Sequence, residues 1–312
     1  MVLPFSARAA ALPFLRGVNF TAEGRGGYTA ETAAPMLDKL AASGVNSVAL
    51  VPYGFHRPGT GAIRYNMGME ADDRIRDVSA AVRKAGMKLL LKPQLWTPGV
   101  FTGDLEFTAE ADRTAWFAQY TAFATHHASL AKEINADLYC IANEFGKLSR
   151  HEAYWRGLIK QVRGIYSGPL VYAASQGPEF ENLRFWDALD YIGLNNYYPL
   201  RSDFSAGHLP AIIEKVWSKI RKPVLFTECG YSTFENPHLQ PWDESPRQLS
   251  PEHQARAYES LLRVVYDKPW LGGMYWWKVG TNGYGGPADG SHTPWNKPAM
   301  DVVRRWYRSG KR

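Results

Sequence analysis

The stretch ADLYCIANEF, residues 136–145, decides how the chain is read. Leu138 to Ala142 is an unbroken apolar run. It is too short for an ordinary helix, and an uninterrupted apolar strand is one buried on both faces. The run stops at Asn143 and Glu144. Upstream, Ala115 to Asn135 carries a helical pattern. Downstream, His151 to Tyr166 carries another and leads to a second apolar run, GPLVYAAS from Gly168. A strand joined through a helix to a second strand is the βαβ unit, the building block of parallel sheets.

Outward in both directions the unit repeats. Before it come RGVNF from Arg16, VNSVALVPY from Val45 and MKLLLKPQLW from Met87; after it come LDYIGLNNYY from Leu189, KPVLFTECGY from Lys222 and LGGMYWWKVG from Leu271. Helical patterns lie between them. Thr29 to Ser43 sets Ala33, Met36, Leu37 and Leu40 on one face, and Asp72 to Ala85 does the same with Ile75, Val78 and Val82. Further helices are predicted over 210–220, 251–266 and 298–307. Gly44, Gly86 and Gly168 each precede a strand, where a helix C-cap glycine belongs. Eight strands with intervening helices and no change in composition predict a single (β/α)8 barrel, one catalytic domain over residues 1–312, with 1–13 as a poorly ordered N-terminal extension. A doubly wound sheet is the alternative, but it ordinarily carries a glycine-rich phosphate turn, and neither GxGxxG nor GxxxxGK occurs.

Composition narrows the function. Net charge is +6, yet Lys and Arg are scattered, apart from a tail at Arg304, Arg305, Arg308, Lys311 and Arg312 that reads as a solvated helix. A nucleic-acid binder would cluster them among aromatics, so no nucleic-acid partner is expected. No apolar run is long enough to cross a bilayer, and no membrane partner is expected either. The opening MVLPFSARAAALPFLRG is interrupted by Arg8 and makes an unconvincing export signal, so no compartment is assigned. Cys140 and Cys229 each sit inside an apolar run and read as small core residues. The 11 Trp and 17 Tyr favour a sugar binder slightly, since such rings suit flat apolar sugar faces, although large barrels also bury them.

In barrels of this kind the chemistry sits where the strands end. Only two of the eight runs finish in a carboxylate: Ile141-Ala142-Asn143-Glu144 and Phe226-Thr227-Glu228. Burying a carboxylate is costly unless something pairs with it or uses it. An ion pair with Lys92 on the third strand is the structural reading for either one alone. For both at one level of one barrel, catalysis is the better reading. Glycosidic cleavage needs such a pair, one to hold a proton for the leaving oxygen and one to attack or stabilise the cationic centre. Asn143, beside Glu144, is suited to donate to a sugar 2-hydroxyl.

The pairing of Asn143-Glu144 on the fourth strand with Glu228 on the seventh resembles clan A of the glycoside hydrolases, a retaining clan. The segments WRGLIKQVRGIYSGPLVYAAS, FWDALDYIGLNNYYPL, KPVLFTECGYS and WNKPAMDVVRRWY resemble glycoside hydrolase family 113, a β-mannanase family, and the likeness runs from about Phe14 to Tyr307. What the resemblance implies is hydrolysis of β-1,4-linked mannose chains without metal or other cofactor. Glu144 then matches the acid/base and Glu228 the nucleophile. Tyr197, with Tyr198 second, matches a tyrosine that bonds the nucleophile. Trp276 or Trp277 matches the floor of the central sugar site. Gln94, in LKPQLW, stands where relatives often carry a histidine.

Further binding candidates are Trp96, as a stacking platform at the end of the third strand, Lys92, and His56, after VPYGF. Asp289 and His292 lie in the glycine-rich loop after the last strand and carry no assigned role. HEAYW at His151 lacks the second histidine of a zinc helix, so no metal site is expected. The working unit is expected to be a monomer. Two other readings stay open: a clan relative acting on a glucan, xylan or bacterial exopolysaccharide, and a carbohydrate-binding barrel that has lost catalysis.

Overall fold

The computed structural model describes residues 12–57 and 62–310, so residues 1–11 of the expected N-terminal extension lie outside the described residues. The chain runs β1 (Leu15–Thr21), α1 (Ala30–Ala42), β2 (Ser47–Leu50), β3 (Tyr53–His56), β4 (Ile63–Arg64), α2 (Asp72–Lys84), β5 (Lys88–Leu91), β6 (Gln94–Trp96) and α3 (Glu110–Glu133). It continues with β7 (Leu138–Asn143), α4 (Glu152–Ile165), β8 (Leu170–Ser175), α5 (Pro178–Asn182), β9 (Ile192–Asn196), α6 (Leu209–Ile220), β10 (Val224–Cys229), α7 (Pro251–Val265), β11 (Leu271–Gly280) and α8 (Pro298–Tyr307). Strands β1, β2, β5, β7, β8, β9, β10 and β11 pair in that order, in parallel, and β11 returns to β1. The predicted single (β/α)8 barrel is the observed fold.

Local chemistry explains why the helices stop and start where they do. Thr29 caps α1 by accepting from the backbone N–H of Thr32 at 3.1 Å. Gly44 and Gly86, with φ of 88° and 72°, take the left-handed turns that end α1 and α2. Gly168 does not share that role: α4 ends at Ile165 in extended backbone, and a Cβ on Gly168 would lie 2.3 Å from the Tyr166 hydroxyl. Along each strand, alternate residues point to opposite sides. Leu15, Ala49, Leu90, Leu138, Cys140, Val171 and Leu225 turn inward and fill the barrel, while Tyr139, Ile141, Tyr172, Ile192 and Phe226 join the larger core under the helices. The interior is therefore packed, and the open ground lies above it. Cys140 and Cys229 are both buried and unbridged.

Two predicted strands are each divided in two. VNSVALVPY breaks into β2 and β3, and MKLLLKPQLW into β5 and β6. Pro52 and Pro93 stand at the breaks, and proline has no N–H to give the barrel ladder. Beyond them β3 and β6 pair with each other, Tyr53 opposite Gln94 and Phe55 opposite Trp96, and β4 completes a small separate sheet. That sheet stands beyond the carboxyl ends of β2 and β5 and walls one side of the cleft.

Candidate active site

Glu144 follows the last residue of β7. Its φ of 57° places it in the left-handed region, which costs a non-glycine residue about 1–3 kcal/mol. The conformation is held by a bond from its N–H to the Ala173 carbonyl at 2.9 Å. The β7–β8 register shifts between Cys140 and Asn143, so the inward alternation of Leu138 and Cys140 passes to Asn143 rather than Ala142. Asn195 on β9 accepts from Thr227 Oγ1 at 2.8 Å and donates to Asn143 Oδ1 at 3.1 Å. That relay fixes the Asn143 amide and leaves its Nδ2 to donate into the cleft.

Glu228 lies on β10, where another register shift, between Phe226 and Glu228, turns it toward the same cleft. Lys92 Nζ lies 2.5 Å and Gln94 Nε2 2.7 Å from its Oε1, and the Tyr197 hydroxyl donates to Oε2 at 2.9 Å. Three donors thus converge on one carboxylate. The ion pair with Lys92 that the sequence offers as a structural alternative is real, and it coexists with a place in the cleft. Glu144, in contrast, has its carboxyl pushed up to about 8, first by burial and then by the negative charge of Glu228. A hydrogen bond with Asn195 and the charge of Lys92 oppose that rise.

The cleft has a volume of about 780 Å³ and is lined by Asn143, Glu144, Glu228, Tyr197, Gln94 and Trp277 at its centre. Trp96 and Phe101 on one wall and Trp242 on another are each about half exposed, as if awaiting a flat partner. Among the described residues, no three His, Cys, Asp or Glu side chains are grouped so as to hold a metal ion, and no helix is long and apolar enough to cross a membrane.

Several sequence candidates are placed elsewhere. Trp276 turns outward, fully buried, and stacks on Tyr258 of α7 with ring centroids 4.0 Å apart, while its neighbour Trp277 faces the cleft under Lys92. Strand alternation forces that choice. Tyr198 likewise points away, accepting from the Gly177 N–H at 2.8 Å and bonding Glu181 beside α5. His56 is buried on β3 against Thr97, with Nδ1 3.2 Å from its hydroxyl, and does not line the cleft. Lys92 is fully enclosed and touches Glu228 rather than open space.

Sequence reasoning missed Tyr53, Phe101, Trp242 and Glu244, all of which line the cleft. It also left His292 without a role. Its Nδ1 lies 2.5 Å from Glu244 Oε1 and its Nε2 2.6 Å from the Pro241 carbonyl, so it ties the loop bearing Trp242 to the loop after β11. Hydrogen bonding from His292 holds the Glu244 carboxyl down at about 2. For Asn195 a signal was present, because the sixth strand ends in a polar Asn-Asn pair.

Fold and cleft together define the class: a (β/α)8 barrel glycoside hydrolase. The sequence matches the family model of Glycoside Hydrolase Family 113 over residues 18–292, and the chain belongs to that family. Among solved structures it is similar to the family 113 β-mannanase AaManA from Alicyclobacillus acidocaldarius in complex with ManMIm. The two share 31% identity over 96% of this chain and 98% of that one, with a TM-score of 0.89. A second family 113 β-1,4-mannanase, solved as a complex, shares the fold at 24% identity over 96% of this chain and 100% of its own, with a TM-score of 0.85. No curated protein sequence matches.

Proposed function

We propose that this glycoside hydrolase cleaves β-1,4-linked mannan with retention of configuration, Glu144 serving as acid/base and Glu228 as nucleophile. The observation that carries the reading is the contrast between the two carboxyls of one cleft. Glu228 accepts three hydrogen bonds, from Lys92, Gln94 and Tyr197. Glu144 is pushed up to about 8 and so keeps its proton at neutral pH. In the first step Glu144 gives that proton to the glycosidic oxygen while Glu228 bonds to the anomeric carbon and the leaving sugar departs. In the second, Glu144, now a carboxylate, takes a proton from water as the water oxygen displaces Glu228. Both acceptor positions of Glu228 Oε1 are used by Lys92 and Gln94, so Oε2, with Tyr197 alone, is the attacking atom. Asn143 Nδ2 donates to the 2-hydroxyl, and Trp277 forms the floor beneath the sugar.

The substrate is a chain rather than a single sugar. Trp96, Phe101 and Trp242 offer exposed rings away from the central carboxyls, and such platforms suit cutting within a polymer. The chemistry runs on protons and carboxylates, without a metal or other cofactor. We read the working unit as a monomer whose barrel is one catalytic domain. Gln94, in place of the histidine common in relatives, favours a second reading, in which the sugar bound there belongs to another β-glycan.

A reducing-sugar assay across mannan, glucomannan, cellulose, xylan and laminarin tests the choice. Release from mannan and glucomannan, with a rapid fall in mannan viscosity, is the expected result. Fastest release from cellulose, xylan or laminarin would replace mannan with that glycan.

A further inference from the structure

Behind Glu144 stands a carboxylate that the mechanism does not use. Glu179, on the short helix α5, is 7% exposed, and no lysine or arginine among the described residues pairs with it. Its Oε1 accepts from the Tyr172 hydroxyl at 2.5 Å and its Oε2 from the Ser175 N–H at 2.7 Å. Tyr172, fully buried on β8, accepts in turn from the N–H of Phe145 at 3.2 Å. Phe145 is the residue after Glu144, whose backbone is left-handed. One buried carboxylate therefore grips both chain segments that meet beside Glu144: the end of β8 directly, and the turn after β7 through a tyrosine.

We propose that Glu179 and Tyr172 are positioning residues for Glu144, holding the left-handed turn on which that carboxyl stands. Burying an unpaired carboxylate is costly, and a purely structural clamp could be built from neutral groups. The charge has a second use. Burial pushes Glu179 up to about 7, against hydrogen bonds from Tyr172 and Ser175, so above that pH it is an anion. It then adds to the repulsion that keeps the proton on Glu144. The charged groups facing Glu144 are Glu228 from β10, Glu179 from α5 and Lys92 from beyond β5; the first two raise its carboxyl and Lys92 lowers it.

The inference rests on Glu144 as acid/base, and the test separates the two. Glu179→Gln and Tyr172→Phe are assayed in the full chain beside Glu144→Gln, with phenyl and dinitrophenyl β-mannosides as probes. The phenyl leaving group needs a proton and the dinitrophenyl group does not. Both positioning variants should lose roughly ten- to hundredfold in kcat/KM on the phenyl probe and stay within about twofold of wild type on the other, a share of what general acid catalysis supplies. In Glu179→Gln the alkaline limb of the pH profile should also move to lower pH. Equal losses on both probes, or none on either, would overturn the inference while Glu144→Gln still shows the selective loss. A Glu144→Gln that loses equally on both would take the acid/base reading with it. Should Tyr172→Phe fail to fold, by circular dichroism, Glu179→Gln decides alone.

Discussion

Lys92 Nζ lies 2.5 Å from Glu228 Oε1, inside the protein and shielded from solvent on the lysine side. The pair spans the barrel, because Lys92 extends from β5 and Glu228 belongs to β10. Taking one partner from a buried ion pair leaves the other uncompensated, which costs roughly 3–5 kcal/mol. Lys92→Met should therefore lower the unfolding free energy by about that much in urea titrations, and also depress kcat. A variant as stable as wild type would mean that water already screens the pair.

The two carboxylates should respond differently to a leaving group. Glu144→Gln and Glu228→Gln are each expected to reduce polysaccharide hydrolysis to at most a few per cent of wild type, in line with loss of a group used in both steps. An aryl glycoside with a good leaving group should restore the first step in Glu144→Gln, seen as a burst of phenol, and restore nothing in Glu228→Gln. A burst in the Glu228 variant would reassign the nucleophile.

Folded stability should carry the mark of Glu144 as well. The unfolded chain ionises it near its ordinary value of 4.5, whereas in the folded protein it is pushed up to about 8. Between those values the folded state holds the extra proton, so this contribution is fully present below the lower value and lost as pH rises through the upper one. Glu144→Gln abolishes the loss. Its unfolding free energy, relative to wild type, should climb between those two values and level off above, by an amount on the order of a few kcal/mol. A pH-independent difference would contradict the raised carboxyl.

Trp96 and Trp242 are expected to matter more for long substrates than short ones. Each ring supplies a stacking contact of about 0.5–1.5 kcal/mol. Trp96→Ala and Trp242→Ala should therefore reduce kcat/KM on a mannan polymer several-fold more than on a disaccharide-sized substrate. Equal losses on both would place the rings at the central sugar instead.

Much of this could be read from the chain. The eight strand runs, most helix spans and the two acidic strand ends follow from apolar periodicity and the abruptness with which ILVF runs give way to Asn-Glu or Thr-Glu. What periodicity could not supply was direction. Trp276 and Trp277 are equally aromatic, and only the pleat, with Tyr258 waiting outside, sends one out and the other in. The same holds for Tyr197 and Tyr198, which diverge to Glu228 and to Gly177. Pro52 and Pro93 were legible signs that two strands would leave the barrel, but that their continuations would pair with each other depends on the spatial adjacency of β2 and β5. Trp242 and Glu244 lie in a long connection after β10 whose course is set by the distant His292, so no local pattern announces them.

The most direct measurement is a carboxyl titration of Glu144 by NMR, in wild type and in Glu228→Gln. With both carboxyls in one cleft, the charge of Glu228 is, after burial, the largest influence raising Glu144. Removing that charge should lower the Glu144 midpoint from about 8, and the alkaline limb of activity on a substrate with a poor leaving group, such as the polymer, should report the same group in wild type. A midpoint that falls is the expected result. One that stays or rises would mean that the two glutamates do not act on each other, and a mechanism built on their opposite protonation states could not stand.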